Sequence, residues 1–155
     1  MKFYCIKCKN NITDDEYFFS KKQFGKPLCR PHQPTHEVQK LVKKLKEICN
    51  LEIIYEGFDG YKSVDISIPD AKVDIEVDGL QHTTTKDQAL RDLKRTYYSY
   101  KNDGYITLHI PNILVRDDNT IDEVAVFINN FLEENHNDLK DNILVHFLKK
   151  FFNIE

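Results

Sequence analysis

The sequence predicts an α/β fold in which helices flank a small mixed sheet, with a small metal-binding unit at the N-terminus. Residues 63–68 and 73–78 alternate apolar and polar side chains with a period of two, which is typical of half-buried strands. Residues 38–48 and 90–100 instead repeat apolar side chains at helical spacing. Two pairs of cysteine and histidine residues near the N-terminus indicate the metal-binding unit.

Residues 1–33 contain both ligand pairs. Cys5 and Cys8 form a CxxC pair, and Cys29 and His32 form a CxxH pair after a loop of twenty residues. This spacing predicts a structural zinc site, with unliganded thiols as the alternative. A disulfide fits a reducing compartment poorly. His36 is close enough in the sequence to replace His32 as the fourth ligand.

An aromatic cluster is expected to form the centre of this unit. Its members are Tyr17, Phe18, Phe19 and Phe24. Residues 24–28 are predicted to form the turn of a hairpin that presents the second ligand pair. Because so small an apolar centre does not fold readily alone, zinc would contribute directly to stability. A structural role with incidental phosphate contact is favoured over dedicated nucleic-acid binding.

The next segment is predicted to be an amphipathic helix with Thr35 as its N-cap. Its apolar face is formed by Val38, Leu41, Val42, Leu45 and Ile48. Cys49 fits the same face and is expected to be a small buried residue. Three lysines lie mainly off this face and are candidates for phosphate contacts: Lys40, Lys43 and Lys44.

The acidic hairpin over residues 63–78 is the centre of the predicted fold. A hairpin symmetric about its turn pairs residues whose numbers sum to 141, so Asp65 lies opposite Glu76. Their β-carbons would then be about 4.5–5.5 Å apart, and Asp78 shares their face. Since like charges opposite each other are destabilising, a magnesium ion is the simplest neutralising partner. The alternative is a solvated outer face of a one-sided sheet.

The other elements complete an α/β unit. Strands are predicted over residues 51–56 and 105–110. A capping region at 83–85 is predicted to open a helix that runs to about residue 101 and has the core stripe Leu90, Leu93, Tyr97 and Tyr100. Two further amphipathic helices are predicted over residues 121–131 and 139–151. The predicted organisation is a zinc-finger-like unit (1–33), a core (34–118) and C-terminal helices (119–155) that close the core or mediate self-association.

Charge is distributed unevenly along the 155 residues. The net charge is −3, but residues 1–50 carry 11 Lys/Arg against 5 Asp/Glu, and residues 117–155 carry 3 against 9. A basic N-terminal third beside an acidic centre suits a polyanionic substrate, although a solubilising mixture explains the charges equally well. No apolar run reaches membrane-spanning length and no signal peptide is evident, which favours an intracellular protein, cytoplasmic or nucleoid-associated.

Several motifs occur in a fixed order over residues 35–115: Asp65, Glu76-x-Asp78-Gly79-x-x-His82, Asp92-x-x-Arg95-Thr96, Gly104-Tyr105 and Pro111-Asn112. Together they resemble the restriction-endonuclease-like PD-(D/E)XK superfamily. The similarity is closest to the Vsr-like branch, which contains the very-short-patch repair endonucleases and related homing endonucleases. The resemblance implies a restriction-endonuclease-like core and a DNA endonuclease that hydrolyses phosphodiester bonds with Mg²⁺ or Mn²⁺.

The resemblance also implies roles for individual residues. Asp65 and Glu76 would hold the magnesium ion, and Asp78 would be a further ligand or would orient a ligand water. His82 would act as general base or position the nucleophile. Glu37, in the first turn of its helix, would support the active site. Arg95 would contact a DNA phosphate or support the metal ligands. Lys94 and Arg95 also lie off the core stripe of their predicted helix, where they could contact DNA phosphates or simply be solvated.

The chain departs from the family pattern at Asp78, where the superfamily has its named lysine. Proton transfer would then fall to His82 or to a more distant lysine, such as Lys86 or Lys94. The main alternative is a non-catalytic nucleic-acid-binding protein with a nuclease-like fold and a zinc finger. A hydrolase for another phosphoester and a zinc-finger interaction module also remain open. Expected partners are DNA and, for full specificity, a second copy or a DNA-targeting protein.

Overall fold

The structure, a computed structural model, describes residues 2–58, 63–79 and 86–152. It is a mixed α/β fold, as the sequence predicts, with a four-stranded mixed sheet and a separate two-stranded hairpin. The strands are β1 (Phe3–Tyr4), β2 (Asn11–Ile12), β3 (Ile54–Phe58), β4 (Ser63–Ile68), β5 (Val73–Asp78) and β6 (Ile106–Pro111). The helices are α1 (Asp14–Phe24), α2 (His36–Ile48), α3 (Lys86–Asp103), α4 (Asn112–Arg116) and α5 (Ile121–Phe152).

The N-terminal unit places helix α1 between its two ligand pairs. Thr13 and Glu16 form a capping box that starts α1, and Gly25 ends it with φ 74°. The prediction of a hairpin around the second pair is therefore wrong, because Cys29 and His32 follow a helix and lie on a 3-10 turn.

The aromatic centre of this unit is smaller than expected. Phe24 is buried and Tyr17 half-buried, but Phe18 and Phe19 are exposed on the outer side of α1. Their place in the core is taken by aliphatic and sulfur side chains from outside α1: Cys5, Ile12 and Leu28.

Helix α2 follows its predicted pattern closely. The Thr35 hydroxyl accepts a hydrogen bond from the backbone N–H of Val38, which confirms Thr35 as the N-cap. The buried residues of the helix are Val38, Leu41, Val42 and Leu45. Ile48 is exposed because the helix ends there, and Cys49 is half-buried against the core.

The central sheet has the strand order β3-β4-β5-β6, with β6 parallel to β5 and the other neighbours antiparallel. The predicted register of the acidic hairpin is confirmed, because Ile66 pairs with Ile75 and these numbers sum to 141. The strand predicted over residues 51–56 is displaced, because β3 begins at Ile54 and pairs with β4 as far as Phe58.

The two faces of the sheet differ in polarity. Helices α2 and α5 cover the apolar face, where their buried residues pack with Ile66, Ile68, Val73 and Ile75. The other face carries Ser67 and Asp74, both buried, and the Ser67 hydroxyl donates to Asp74 Oδ1 at 2.8 Å. The crossover helix α3 contacts the edge strand β6.

Helix α3 does not bury its predicted core stripe. Leu90, Leu93, Tyr97 and Tyr100 are each at least 50% exposed. Ser99 is fully buried instead, and Ala89 and Thr96 are half-buried. The predicted core stripe is therefore wrong: among the described side chains of α3, the buried and half-buried ones are small, and the large apolar ones face outward.

The C-terminal region forms one continuous helix, α5, where two helices were expected. The polar residues near its middle interrupt the apolar pattern but not the helix, because residues 121–152 contain neither proline nor glycine. The side chains of Asn135 and His136 hydrogen-bond to the backbone carbonyls of Ala71 and Asp70. Ile121, Ala125, Ile128 and Leu132 close the core, while Phe127 is 70% exposed. The predicted stripe beyond residue 142 lies outside the described side chains. Within the described part of the chain, no helix combines the length and apolarity needed to cross a bilayer.

Candidate metal sites

The four predicted zinc ligands come together in the N-terminal unit. The ligand atoms of Cys5, Cys8, Cys29 and His32 all lie within 4.8 Å of one another. Cys8 Sγ is 3.8 Å from Cys29 Sγ, and Cys5 Sγ is 3.8 Å from His32 Nδ1. Such separations suit a tetrahedral site with metal–sulfur bonds of about 2.3 Å. This Cys3His cluster could therefore bind a metal ion such as zinc. His36 is not part of the cluster.

The electrostatics of the Cys3His cluster favour a bound cation. Burial alone would raise the pKa of Cys5, but hydrogen bonds from the backbone amides of Cys29, Cys8 and Lys7 lower that pKa to about 6. Burial raises the pKa of Cys29 to about 11, together with hydrogen bonds to the Cys5 and Cys8 thiols. One thiolate thus forms readily and opposes ionisation of the next. A metal cation would remove that opposition.

The N-terminal unit docks on the outer edge of the central sheet, along β3. Phe24 meets the ring of Tyr55 edge-on, with centroids 5.3 Å apart. Lys26 Nζ donates to the carbonyl oxygens of Tyr55, at 3.0 Å, and Glu56. Lys7, between the first two cysteines, forms an ion pair with the Glu56 carboxylate. The unit is therefore attached at the strand that borders the acidic hairpin.

A row of ionisable residues crosses the sheet from β3 to β6. Glu56 lies opposite Asp65 of β4, because the residues before and after Glu56 pair with the residues after and before Asp65. The hairpin register places Asp65 opposite Glu76 of β5, and Glu76 pairs with His109 of β6. Glu56 has φ 49°, an uncommon conformation for a non-glycine residue, which interrupts the ladder at this point.

Asp65 occupies the middle of the row. Its Oδ2 accepts a hydrogen bond of 2.9 Å from the backbone N–H of Val77 on β5. Burial raises the Asp65 pKa; the Val77 hydrogen bond opposes this, while the nearby charges of Glu56 and Glu76 add to it. The net effect is a raised pKa, so the ionised carboxylate is costly unless a cation accompanies it.

Three ligands converge next to Asp65. The ligand atoms of Glu76, Asp78 and His109 all lie within 4.8 Å of one another, and His109 Nδ1 is 2.9 Å from Asp78 Oδ2. Two carboxylates and an imidazole at this spacing could hold a divalent cation. The predicted magnesium ligands Glu76 and Asp78 thus belong to the cluster, but Asp65, on the adjacent strand, is not part of this group.

The remaining predicted residues lie in different settings. Glu37 accepts a 2.7 Å hydrogen bond from Arg116 Nε, which lowers the Glu37 pKa. Lys40 and Lys44 are occupied by ion pairs with residues near the start of α5, Asp118 and Asp122, each at 2.6 Å.

Lys43, Lys94 and Arg95 are exposed, although Arg95 also lies 3.6 Å from Asp92. His82 and the side chain of Lys86 lie outside the described residues, so the predicted role of His82 stays a prediction.

Sequence reasoning missed two members of the row, His109 and Glu56. The signal for His109 was the alternation of Ile106, Leu108 and Ile110 with polar residues, which places it on the polar face of its strand. Its alignment with Glu76 depends on the parallel register, which the crossover helix sets. Glu56 had no comparable signal, because its positive φ is a tertiary feature.

Comparison of the chain with protein-family models, with curated proteins and with solved structures finds no match in any of the three. The two clusters and their surroundings are therefore the basis for a functional assignment.

Proposed function

We propose that the protein is a metal-dependent DNA endonuclease that hydrolyses phosphodiester bonds at the cluster of Glu76, Asp78 and His109. The observation that carries this proposal is the convergence of these three ligands, within 4.8 Å of one another, near the half-buried carboxylate of Asp65, whose pKa is raised. Buried acids with perturbed pKa values next to candidate metal ligands are typical of hydrolytic sites.

The order of elements supports a restriction-endonuclease-like core. Helix α2, the antiparallel strands β3 to β5, helix α3 and the parallel strand β6 follow one another as the resemblance to the PD-(D/E)XK superfamily implies. The acidic residues of the resembled motif lie on β4 and β5, at the centre of the sheet.

Each residue of the cluster has a chemical role in this proposal. A divalent ion held by Glu76, Asp78 and His109 would supply an activated water and offset the charge that develops on the phosphate. Asp65, fixed by the Val77 N–H, completes the ligand set or orients the attacking water. Glu37 and Arg116 brace the N-terminus of α2 against α4.

Helix α3 offers a surface for the DNA. Its exposed side chains combine cations with aromatic rings: Arg91, Lys94, Arg95, Tyr97, Tyr98, Tyr100 and Lys101. Lysine and arginine contact phosphates, and tyrosine rings stack on bases. Lys43 on α2 is exposed as well, whereas the ion pairs of Lys40 and Lys44 reduce their availability.

A second candidate is a non-catalytic nucleic-acid-binding protein stabilised by zinc in the Cys3His cluster. One observation favours it: His109 Nδ1 and Asp78 Oδ2 already contact each other at 2.9 Å. Such a pair can be purely structural, with the acids of the polar face solvated.

Cleavage of plasmid, mismatched and branched DNA in Mg²⁺ or Mn²⁺ tests the proposal. We expect cleavage by the wild type and loss of cleavage, with retained folding and DNA binding, in Glu76→Gln and Asp65→Asn. Asp70→Asn is the matched control, because Asp70 is an exposed acid at the turn of the same hairpin. DNA binding without cleavage under either metal would support the second candidate instead.

A further inference from the structure

Lys7 connects the Cys3His cluster to the acidic row. It lies between the ligands Cys5 and Cys8, and its ammonium forms an ion pair with the Glu56 carboxylate. The Glu56 side chain is largely shielded from water, at 11% exposed, whereas that of Lys7 is 30% exposed and remains partly accessible. This cation therefore comes from the N-terminal unit and not from the sheet.

Glu56 is the end member of the acidic row. The pairs Tyr55–Ile66 and Gly57–Val64 flank it, which leaves Asp65 as its neighbour across the ladder. Glu56 and Lys7 both act on Asp65 electrostatically, in opposite directions. Three carboxylates thus stand on successive strands, with Lys7 at one end and His109 at the other.

The position of Lys7 is held from several sides. The Cys3His cluster fixes the backbone on both sides of it, and Lys26 binds the carbonyls of Tyr55 and Glu56. An ammonium paired with Glu56 and acting electrostatically on Asp65 supplies positive charge at this end of the row, where a metal cation would otherwise be needed.

We propose that Lys7 is a positioning residue of the acidic row and takes the place of a second divalent ion at Glu56 and Asp65. The row then accepts one ion, at the His109 end. Sites that hold two ions usually place them about 3.5–4 Å apart with shared carboxylates, and Asp65 and Glu76 are the carboxylates that two ions would share here. The inference rests on the proposed metal site at Glu76, Asp78 and His109.

The number of Mn²⁺ ions bound per zinc-loaded chain tests this role, measured by calorimetric titration and by electron paramagnetic resonance. Zinc content is determined first, so that the Cys3His cluster is known to be filled; its thiolates disfavour Mn²⁺. We expect one Mn²⁺ per chain for the wild type and two for Lys7→Met. Lys7→Gln is measured alongside, so that the result does not depend on the folding of one variant.

Two variants control for charge and location. Lys7→Arg keeps the positive charge and should bind one Mn²⁺. Lys9→Met removes a lysine of the same loop whose ammonium hydrogen-bonds to the Ile6 carbonyl, and should also bind one. A second Mn²⁺ in the wild type, or a single Mn²⁺ in both Lys7→Met and Lys7→Gln, would overturn the role of Lys7. The absence of bound Mn²⁺ in every protein would refute the proposed metal site itself.

Discussion

His109 Nδ1 lies 2.9 Å from Asp78 Oδ2, joining the edge strand β6 to the acidic strand β5. This contact brings a nitrogen ligand to a pair of carboxylates. Imidazole suits transition metals better than it suits Mg²⁺, which prefers oxygen ligands. Mn²⁺ is therefore expected to bind this cluster more tightly than Mg²⁺.

Replacing Asp65 by asparagine should stabilise the metal-free protein at neutral pH. A raised pKa means that ionised Asp65 costs stability at pH values above its pKa in the folded state. Asparagine removes that charge and retains an oxygen for the Val77 N–H. We expect a gain of about 1 kcal/mol, or roughly 2–4 °C in Tm for a chain of this size.

The sign of this effect is checked by measuring Tm against pH. The difference between Asp65→Asn and the wild type should shrink as the pH falls through the Asp65 pKa, because the wild-type carboxyl then becomes neutral. Mn²⁺ should raise the Tm of the wild type more than that of the variant. A lower Tm for Asp65→Asn at pH 7 would show that the carboxylate is well compensated without metal.

Glu37→Gln should change stability at neutral pH with the opposite sign to Asp65→Asn. Arg116 lowers the Glu37 pKa, so the pair stabilises the fold above the unfolded-state pKa of about 4.3 and loses this effect as the pH falls through the folded-state pKa. We expect a loss of about 1 kcal/mol or less at pH 7, with the difference from wild type vanishing in acid. Glu47→Gln is the control, since Glu47 is 54% exposed and lies 4.0 Å from Lys44. Equal effects of both variants at every pH would contradict the specific role of the pair.

Zinc content distinguishes the Cys3His cluster from the remaining cysteine. Cys5→Ser should lose its zinc and show early melting of the N-terminal unit, whose own apolar core consists of a few residues. Cys49→Ser should keep one zinc per chain, because Cys49 lies at the end of α2, outside the cluster. Elemental analysis of the purified proteins checks both expectations. Unchanged zinc in Cys5→Ser would be incompatible with the cluster as a zinc site.

DNA binding through α3 should depend on salt. Lys94→Ala and Arg95→Ala are each expected to weaken binding for all sequences and to reduce the salt slope by about 1. Lys140→Ala, an exposed lysine on α5, is the control and should change neither quantity. Fluorescence anisotropy at several salt concentrations provides the measurement. An effect of Lys140→Ala equal to that of Lys94→Ala would show that binding is not directed to α3.

Local patterns predicted a large part of this molecule. The register that places Asp65 opposite Glu76 follows from alternation and a symmetric turn, and the cap at Thr35 follows from local chemistry. The spacing of the Cys3His ligands likewise identified a cluster that the fold assembles. These features depend on residues close together in the sequence or on one hairpin.

The features that were not predicted depend on tertiary packing. The parallel register that brings His109 to Glu76 is set by a crossover helix, and the exposure of the apolar stripe of α3 depends on which side of that helix meets the rest of the fold. The polar middle of α5 meets a distant turn, where Asn135 and His136 hydrogen-bond to backbone carbonyls. Hydrophobic periodicity describes one element at a time and does not record what lies opposite it.

The most direct test of the metal site is the anomalous scattering of a crystal of the wild-type protein soaked in MnCl₂. We predict a single manganese peak about 2.1 Å from ligand atoms of Glu76, Asp78 and His109, with the contact between Asp78 and His109 opened by the ion. The metal site would be contradicted if the contact between Asp78 and His109 stayed intact and no manganese peak lay among the three residues. The MnCl₂ concentration for this test is one that saturates any DNA cleavage.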